Sequence, residues 1–223
     1  MIKSKGWDWK IVKDDIDCPW KIPSVESYYL LNRWENLNFK NFLDLGCGLG
    51  RHTVLFAENG FNVSGFDISK EGIRKTEAWL ESLDLKADLK VGDMLKLPYE
   101  NESFDCILCR NVISHQDTEG VKQIIKELYR VLKNNGECYL TLGSKSTWGF
   151  KQDSWPLVDE NTRLRMEVGP EYKIPHFYAD YDLIKELFKK FKIIFINHIE
   201  DFYESNGKTY SSFHYHILIK KED

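Results

Sequence analysis

Apolar positions along the chain switch between two spacings. Phe42, Leu43 and Leu45 form a short apolar run that predicts a buried strand over Asn41–Leu45. Helical spacing follows from Arg51 to Asn59, with Gly60 just past its end as a stop. Asn62–Phe66 reads as a second strand. Ser69 then opens a helix to about Leu83, with Ile73, Leu80 and Leu83 on one side. Asp88–Val91 and Phe104–Cys109 read as the third and fourth strands. From Thr118, the residues Val121, Ile124, Ile125, Leu128, Val131 and Leu132 keep the i, i+3, i+4, i+7 rule of a helix. Asn134-Asn135-Gly136 predicts its end, and Glu137–Leu142 the fifth strand. Strands that alternate with helices of this length build βαβ units and a mostly parallel sheet.

The alternation lapses at both ends of this core. Met1–Pro23 has no period but carries Trp7, Trp9 and Trp20. Ser24 then caps a helix to about Asn36, on which Tyr28, Leu31 and either Trp34 or Glu35 share a face. These aromatics are read as packing the segment onto the domain, with a lid over a cleft as the alternative. Ser144–Asp180 also lacks a period, and irregular stretches of that length in compact domains carry function or move. A helix returns through Leu183, Ile184, Leu187 and Phe188. Lys192–Tyr203 and Thr209–Lys220 flank Ser205-Asn206-Gly207-Lys208, and Asn-Gly between strand patterns predicts an antiparallel hairpin. The expected fold class is therefore α/β: a seven-stranded, mostly parallel, doubly wound sheet ending in an antiparallel β-hairpin. Residues 1–40 form an N-terminal segment and helix, and residues 41–223 the main domain, with 144–180 an insertion.

Composition narrows the partners. A chain of 223 residues with 42% hydrophobic and 30% charged residues suits a globular domain with a substantial core. The formal net charge of −4 and the absence of long basic runs argue against a nucleic-acid partner. No apolar stretch is long enough to span a bilayer, and Met1–Lys10 lacks the apolar core of a signal peptide. Five scattered cysteines, mostly beside apolar segments, fit a reducing compartment, so a cytoplasmic location is expected.

The candidate chemistry sits where the first strand breaks into Gly46, Gly48 and Gly50. A strand that ends in glycines and re-forms as a helix brings a ligand to bare backbone and free N–H groups. Dinucleotides and S-adenosylmethionine both use such a turn. The dinucleotide pattern requires a third glycine where this chain has Arg51, and no phosphate-loop G-x-x-x-x-G-K-[ST] occurs. Asp44, just before the turn, would repel a pyrophosphate but suits an ammonium and a sulfonium. Asp67, about twenty residues beyond the turn, has the spacing of a ribose ligand, and Asp93 ends the third strand.

These stretches together resemble the class I S-adenosylmethionine-dependent methyltransferases, over roughly Phe42 to Lys220. The resemblance is carried by Leu43-Asp44-Leu45-Gly46-Cys47-Gly48-Leu49-Gly50-Arg51-His52, Val63–Ser69, Gly92-Asp93-Met94 and Phe104–Val112, in order and followed by the hairpin. It implies a Rossmann-like methyltransferase fold, the cofactor S-adenosyl-L-methionine and the product S-adenosyl-L-homocysteine. It also implies that Asp44 and the loop of Gly46, Cys47, Gly48 and Gly50, continued by Arg51 and His52, hold the methionine portion. Asp67 would then bind the ribose, with Ile68 against the adenine. Asp93 would meet the adenine amino group beside Met94, and Arg110, Asn111 and Val112 would lie near the methyl group. Asp67 or Asp93 capping a local turn is the structural alternative.

The acceptor is expected to be a small molecule. Neither the Asn-Pro-Pro-Tyr of nucleic-acid amino-methyltransferases nor the Pro-Cys of cytosine-C5 enzymes follows the fourth strand, where Arg110-Asn111-Val112-Ile113 stands. Ile174-Pro175-His176-Phe177-Tyr178 is similar to a segment of small-molecule members, including the tellurite-resistance type, so His176 and Tyr178 are candidate catalytic residues facing the acceptor. His115 is the third candidate, as a general base. No metal site is expected: Cys106 and Cys109 point to opposite faces of a strand, and His214 and His216 share an exposed strand face with no third ligand. A monomer or homodimer with no membrane partner completes the picture. A non-catalytic cofactor-binding regulator is the first alternative, and a nicotinamide-dependent oxidoreductase the second.

Overall fold

The computed structural model describes residues 4–12, 18–205 and 207–222. Its central layer contains β1 (Asn41–Leu45), β2 (Asn62–Asp67), β3 (Asp88–Val91), β4 (Phe104–Cys109), β5 (Leu132–Ser144), β9 (Lys192–Ser205) and β10 (Lys208–Lys220). They lie in the order β3-β2-β1-β4-β5-β10-β9. β1 to β5 are parallel, and β10 is antiparallel to both of its neighbours. This is the expected seven-stranded, doubly wound sheet. Ser205 pairs with Lys208 across the hairpin; Asn206 of the predicted Asn-Gly turn lies outside the described residues.

Alternation along the strands divides the core into two. Leu43, Ile107, Cys109, Cys138, Leu140, Ile217 and Ile219 meet α4 (Thr118–Val131) and α5 (Tyr181–Leu187) on one face. Phe42, Cys106, Leu108, Tyr139 and Leu218 meet α1 (Val25–Asn36) and α2 (Arg51–Glu58) on the other. Cys106 and Cys109 thus face opposite cores, and all five cysteines are free and buried. α3 (Lys70–Ser82) starts at Ser69, whose hydroxyl accepts from the Gly72 amide. α1 is locked to the sheet by Arg33, which donates to Glu137 at 2.8 and 2.6 Å, and by the Trp34 indole, which donates to the same carboxylate at 3.0 Å.

Several expectations need correction. On α1 the inward face is Ser27, Leu30, Leu31 and Trp34, whereas Tyr28 and Glu35 are exposed. Leu83 is also exposed, because α3 ends at Ser82. α4 stops at Val131 and the chain enters β5 at once. Leu132 pairs with Phe104 and Glu137 with Cys106, so Asn134-Asn135-Gly136 loops out inside the strand instead of separating helix from strand. His216 is not on an exposed face. It is buried with its ring hydrogen-bonded to the Tyr139 hydroxyl at 2.6 Å, because α1 covers that side of β10.

The segment expected to be irregular holds three short strands, β6 (Leu157–Asp159), β7 (Thr162–Leu164) and β8 (Pro175–Ala179). β8 runs parallel to the end of β5 through Gly143 and Ser144, beyond the point where β4 stops, and β7 and β6 follow it antiparallel. The insertion therefore stands over the carboxyl ends of the parallel strands, where ligands bind in open α/β sheets.

Candidate functional site

The loop after β1 is built for close approach. Gly46, Gly48 and Gly50 all have left-handed backbones, with φ of 79°, 56° and 87°. A Cβ on Gly46 would collide with the Val112 side chain, and one on Gly48 would stand 2.7 Å from the Trp9 ring. Asp67 fixes the loop from the next strand: one carboxylate oxygen accepts from the Gly48 amide at 2.9 Å, the other from the Ser69 amide at 2.7 Å. Burial pushes its carboxyl up, and these amides pull it back. Each oxygen keeps a second lone pair that can accept another hydrogen bond, so the pair stays available to a diol.

The loop forms one side of a cleft. Of the residues named from the sequence, Asp44, Gly46, Cys47, Gly48, Arg51, His52, Asp67, Ile68, Asp93, Met94, Arg110, Asn111 and Val112 line it, as does His115. Gly50 does not; it turns the chain into α2 and donates to the Cys47 carbonyl at 2.9 Å. Asp44 is buried and accepts from the Thr53 hydroxyl at 2.7 Å; burial raises its carboxyl to about 6. Arg51 donates to the carbonyls of Pro19 and Ile22 and lies over the Trp20 ring; burial, then the nearby Arg110, lowers it to about 10. The His52 ring accepts from the Ser24 amide at 3.3 Å, which ties α2 to the start of α1, and burial keeps this ring far below its usual value. Asp93 caps a turn by accepting from the Leu95 amide at 3.0 Å while still lining the cleft. Asn111 has φ of 58°, and its amide donates to the Thr141 hydroxyl at 2.8 Å.

His115 stands on the cleft wall with His176 behind it, ring centres 5.0 Å apart, and Tyr178 farther back, 6.4 Å from His176. Tyr178 is buried beside Phe150, and neither it nor His176 lines the cleft.

Glu171, which no sequence pattern marked, joins the histidines. Its oxygens lie 3.4 Å from His115 Nε2 and 3.5 Å from His176 Nε2, it pairs with Arg165, and the Trp7 indole donates to it at 3.0 Å. The carboxyl is held far below its usual range by the two histidines, against the opposing effect of burial. Trp7, Trp9 and Trp20 themselves line the cleft, and the segment is tied down where the Asp8 amide donates to Pro170 and Gln116 donates to the Ser4 hydroxyl. Glu26, also unmarked in the sequence, lies 3.7 Å from Arg110 and 3.4 Å from His216, whose hydrogen bond is the main reason its carboxyl falls to about 2.

A glycine turn and three acids, at or just past the ends of the first three parallel strands, line one cleft. The family model of the methyltransferase domain matches residues 42–136, the stretch that supplies this wall. A structure described as that of S-adenosylmethionine-dependent methyltransferases, from Methanosarcina mazei, superposes with a TM-score of 0.66 at 25% identity over 82% of this chain and 92% of that one. Residues 42–136 form a methyltransferase domain. TehB of Haemophilus influenzae shares the fold of this chain, with a TM-score of 0.66 at 20% identity over 87% of this chain and 62% of that one. The norajmaline N-methyltransferase of Rauvolfia serpentina is 38% identical over 96 residues, 41% of this chain and 32% of that one. The chain spans 32–63% of the length of the first curated relatives it matches. Among the described residues, no helix of this chain is long and apolar enough to cross a membrane.

Proposed function

We propose that the cleft binds S-adenosylmethionine and that the protein transfers its methyl group to a small-molecule acceptor. The observation that carries this reading is the convergence of Asp44, Asp67 and Asp93 with the glycine loop on one wall, and of His115 on the same cleft. The residues suit the cofactor: Gly46 and Gly48 leave no room for a Cβ, and the acids match an amine, a diol and an exocyclic amino group. Asp44 would hold the ammonium, Asp67 the ribose hydroxyls and Asp93 the adenine amino group, with Ile68 and Met94 against the ring. Arg110, Asn111 and Val112 would border the methyl group. When bound, the cofactor supplies a methyl group on a sulfonium, whose leaving group is a neutral thioether.

The protein's share of such a reaction is alignment and the exclusion of water. Trp7, Trp9 and Trp20 cover the cleft from the N-terminal side, which supports the lid reading of this segment. His115 engages the polar atom of the acceptor, while Glu171 and His176 fix its ring and Tyr178 backs His176. A small acceptor is supported by the aromatic side chains that line the cleft and by the norajmaline N-methyltransferase among the relatives.

Isothermal titration of the full chain with S-adenosylhomocysteine tests the reading. Wild type should bind, and Asp67→Ala should weaken binding by on the order of a hundredfold, about 3 kcal/mol for two hydrogen bonds to a charged group. Absence of binding by wild type would overturn the proposal. Binding without transfer of labelled methyl to any member of a broad small-molecule panel would leave a non-catalytic cofactor-binding module.

A further inference from the structure

His115, Glu171 and His176 come from three separate parts of the chain: the loop after β4, the loop before β8, and β8 itself. Their nitrogen and oxygen atoms lie within 4.8 Å of one another. The two imidazole–carboxylate separations, 3.4 and 3.5 Å, exceed the roughly 2.7–2.9 Å of a charge-assisted hydrogen bond. They are close to the roughly 3.0–3.4 Å between neighbouring donors that share an ion about 2.1 Å from each.

The orientation of His176 points the same way. Its Nδ1 lies 3.1 Å from the Ile174 carbonyl, an acceptor that only a protonated Nδ1 can satisfy. In the neutral ring, Nε2 then carries a lone pair aimed at a carboxylate oxygen. Two electron-rich atoms face each other stably only with positive charge between them, supplied by a second ring proton or by a metal cation. A backbone carbonyl on one ring nitrogen and a bare lone pair on the other is the arrangement that outer contacts impose on metal-binding imidazoles. Glu171 is braced from outside in a similar way, by the Trp7 indole on Oε1 and by Arg165 on Oε2. Each oxygen retains a second lone pair. Arg165 also pairs with Glu167 at 2.6 Å, so one guanidinium is shared by two carboxylates and the group keeps a negative charge before any ion enters.

We propose that His115, Glu171 and His176 form a binding site for a divalent first-row transition ion such as Zn²⁺. Two imidazoles and one carboxylate favour this class over Mg²⁺ or Ca²⁺, which prefer all-oxygen shells. Because His115 is part of the cleft wall, the remaining coordination positions open toward the cleft, where water or a polar atom of the acceptor completes the shell. The three-ligand site stands independently of the methyl-transfer reading; only the acceptor atom as a further ligand rests on it.

The test uses the full chain after treatment with a chelator. Calorimetric titration with ZnCl₂ should show one equivalent bound, and CoCl₂ should produce a visible absorption band of a protein-held ion. His176→Ala and Glu171→Gln should each weaken Zn²⁺ binding at least tenfold, with His115→Ala as the deciding variant if either fails to melt cooperatively. A His198→Ala/His214→Ala double variant on the hairpin should bind Zn²⁺ like wild type. No binding by wild type, or binding lost in the hairpin variant and kept in the cluster variants, would overturn the site. S-adenosylhomocysteine is titrated into the same samples. Zn²⁺ binding without it retains the metal site and removes the methyltransferase reading, and the converse result removes the metal site alone.

Discussion

The proposed contact between Asp44 and the cofactor ammonium predicts that cofactor binding depends on pH. The residue is 1% exposed, and burial raises its carboxyl from 3.8 to about 6, with the Thr53 hydroxyl and the Arg51 charge offsetting part of that rise. In an unfolded chain the group ionises near 3.8. Between pH 4 and 6 the folded state therefore holds the extra proton, and cofactor-free stability falls as pH rises through this window. The two values correspond to a cost of about 3 kcal/mol for holding the ionised form at neutral pH. An ammonium beside Asp44 favours the ionised carboxylate, so binding should strengthen over the same range. At pH 5 about one Asp44 in eleven is ionised, and at pH 7 about ten in eleven, which predicts roughly tenfold weaker S-adenosylhomocysteine binding at pH 5. Calorimetric titrations at half-unit steps between pH 5 and 7.5 measure this, with Asp44→Asn as the control, which should bind weakly and without a pH slope. Equal affinity of wild type at pH 5 and 7, or the same slope in Asp44→Asn, would refute the assignment.

Two further predictions probe the loop and the scaffold. Gly48→Ala should cost about 1–2 kcal/mol for its left-handed backbone, plus the energy of displacing the Trp9 ring. Gly60→Ala, also left-handed but with nothing near its added Cβ, should cost only the backbone part. Equal urea-unfolding losses in the two variants would contradict the packing of Trp9 on Gly48. Trp34→Ala removes a fully buried indole and one of the donors to Glu137, and should cost about 3–5 kcal/mol in urea unfolding. A loss below about 1 kcal/mol would show that α1 is not anchored through this residue.

Much of the scaffold could be read from local pattern. The limits of β1, β3 and β4 agree with the sequence reading because apolar alternation and the flanking turns act over a few residues. The cleft acids were legible for a related reason: once β1 to β3 are parallel neighbours, Asp44, Asp67 and Asp93 must come to the same end of the sheet. Patterns that compete within one segment were harder. Asn134-Asn135-Gly136 has the composition of a helix stop, yet pairing with β4 on either side absorbs it as a bulge. His216 alternates like an outward residue, and its burial depends on α1, which lies far away in sequence.

The sequence by itself determined the doubly wound sheet and the cofactor-facing wall, since both follow from periodicity and from turns whose residues are adjacent in the chain. Only the tertiary structure decided the opposite wall. Trp7, His115, Glu171 and His176 have no common period, and they meet because the insertion folds back over the end of β5 and the N-terminal segment is hydrogen-bonded to it. Such a meeting depends on how loops close in three dimensions, and the spacing of residues along the chain does not encode it.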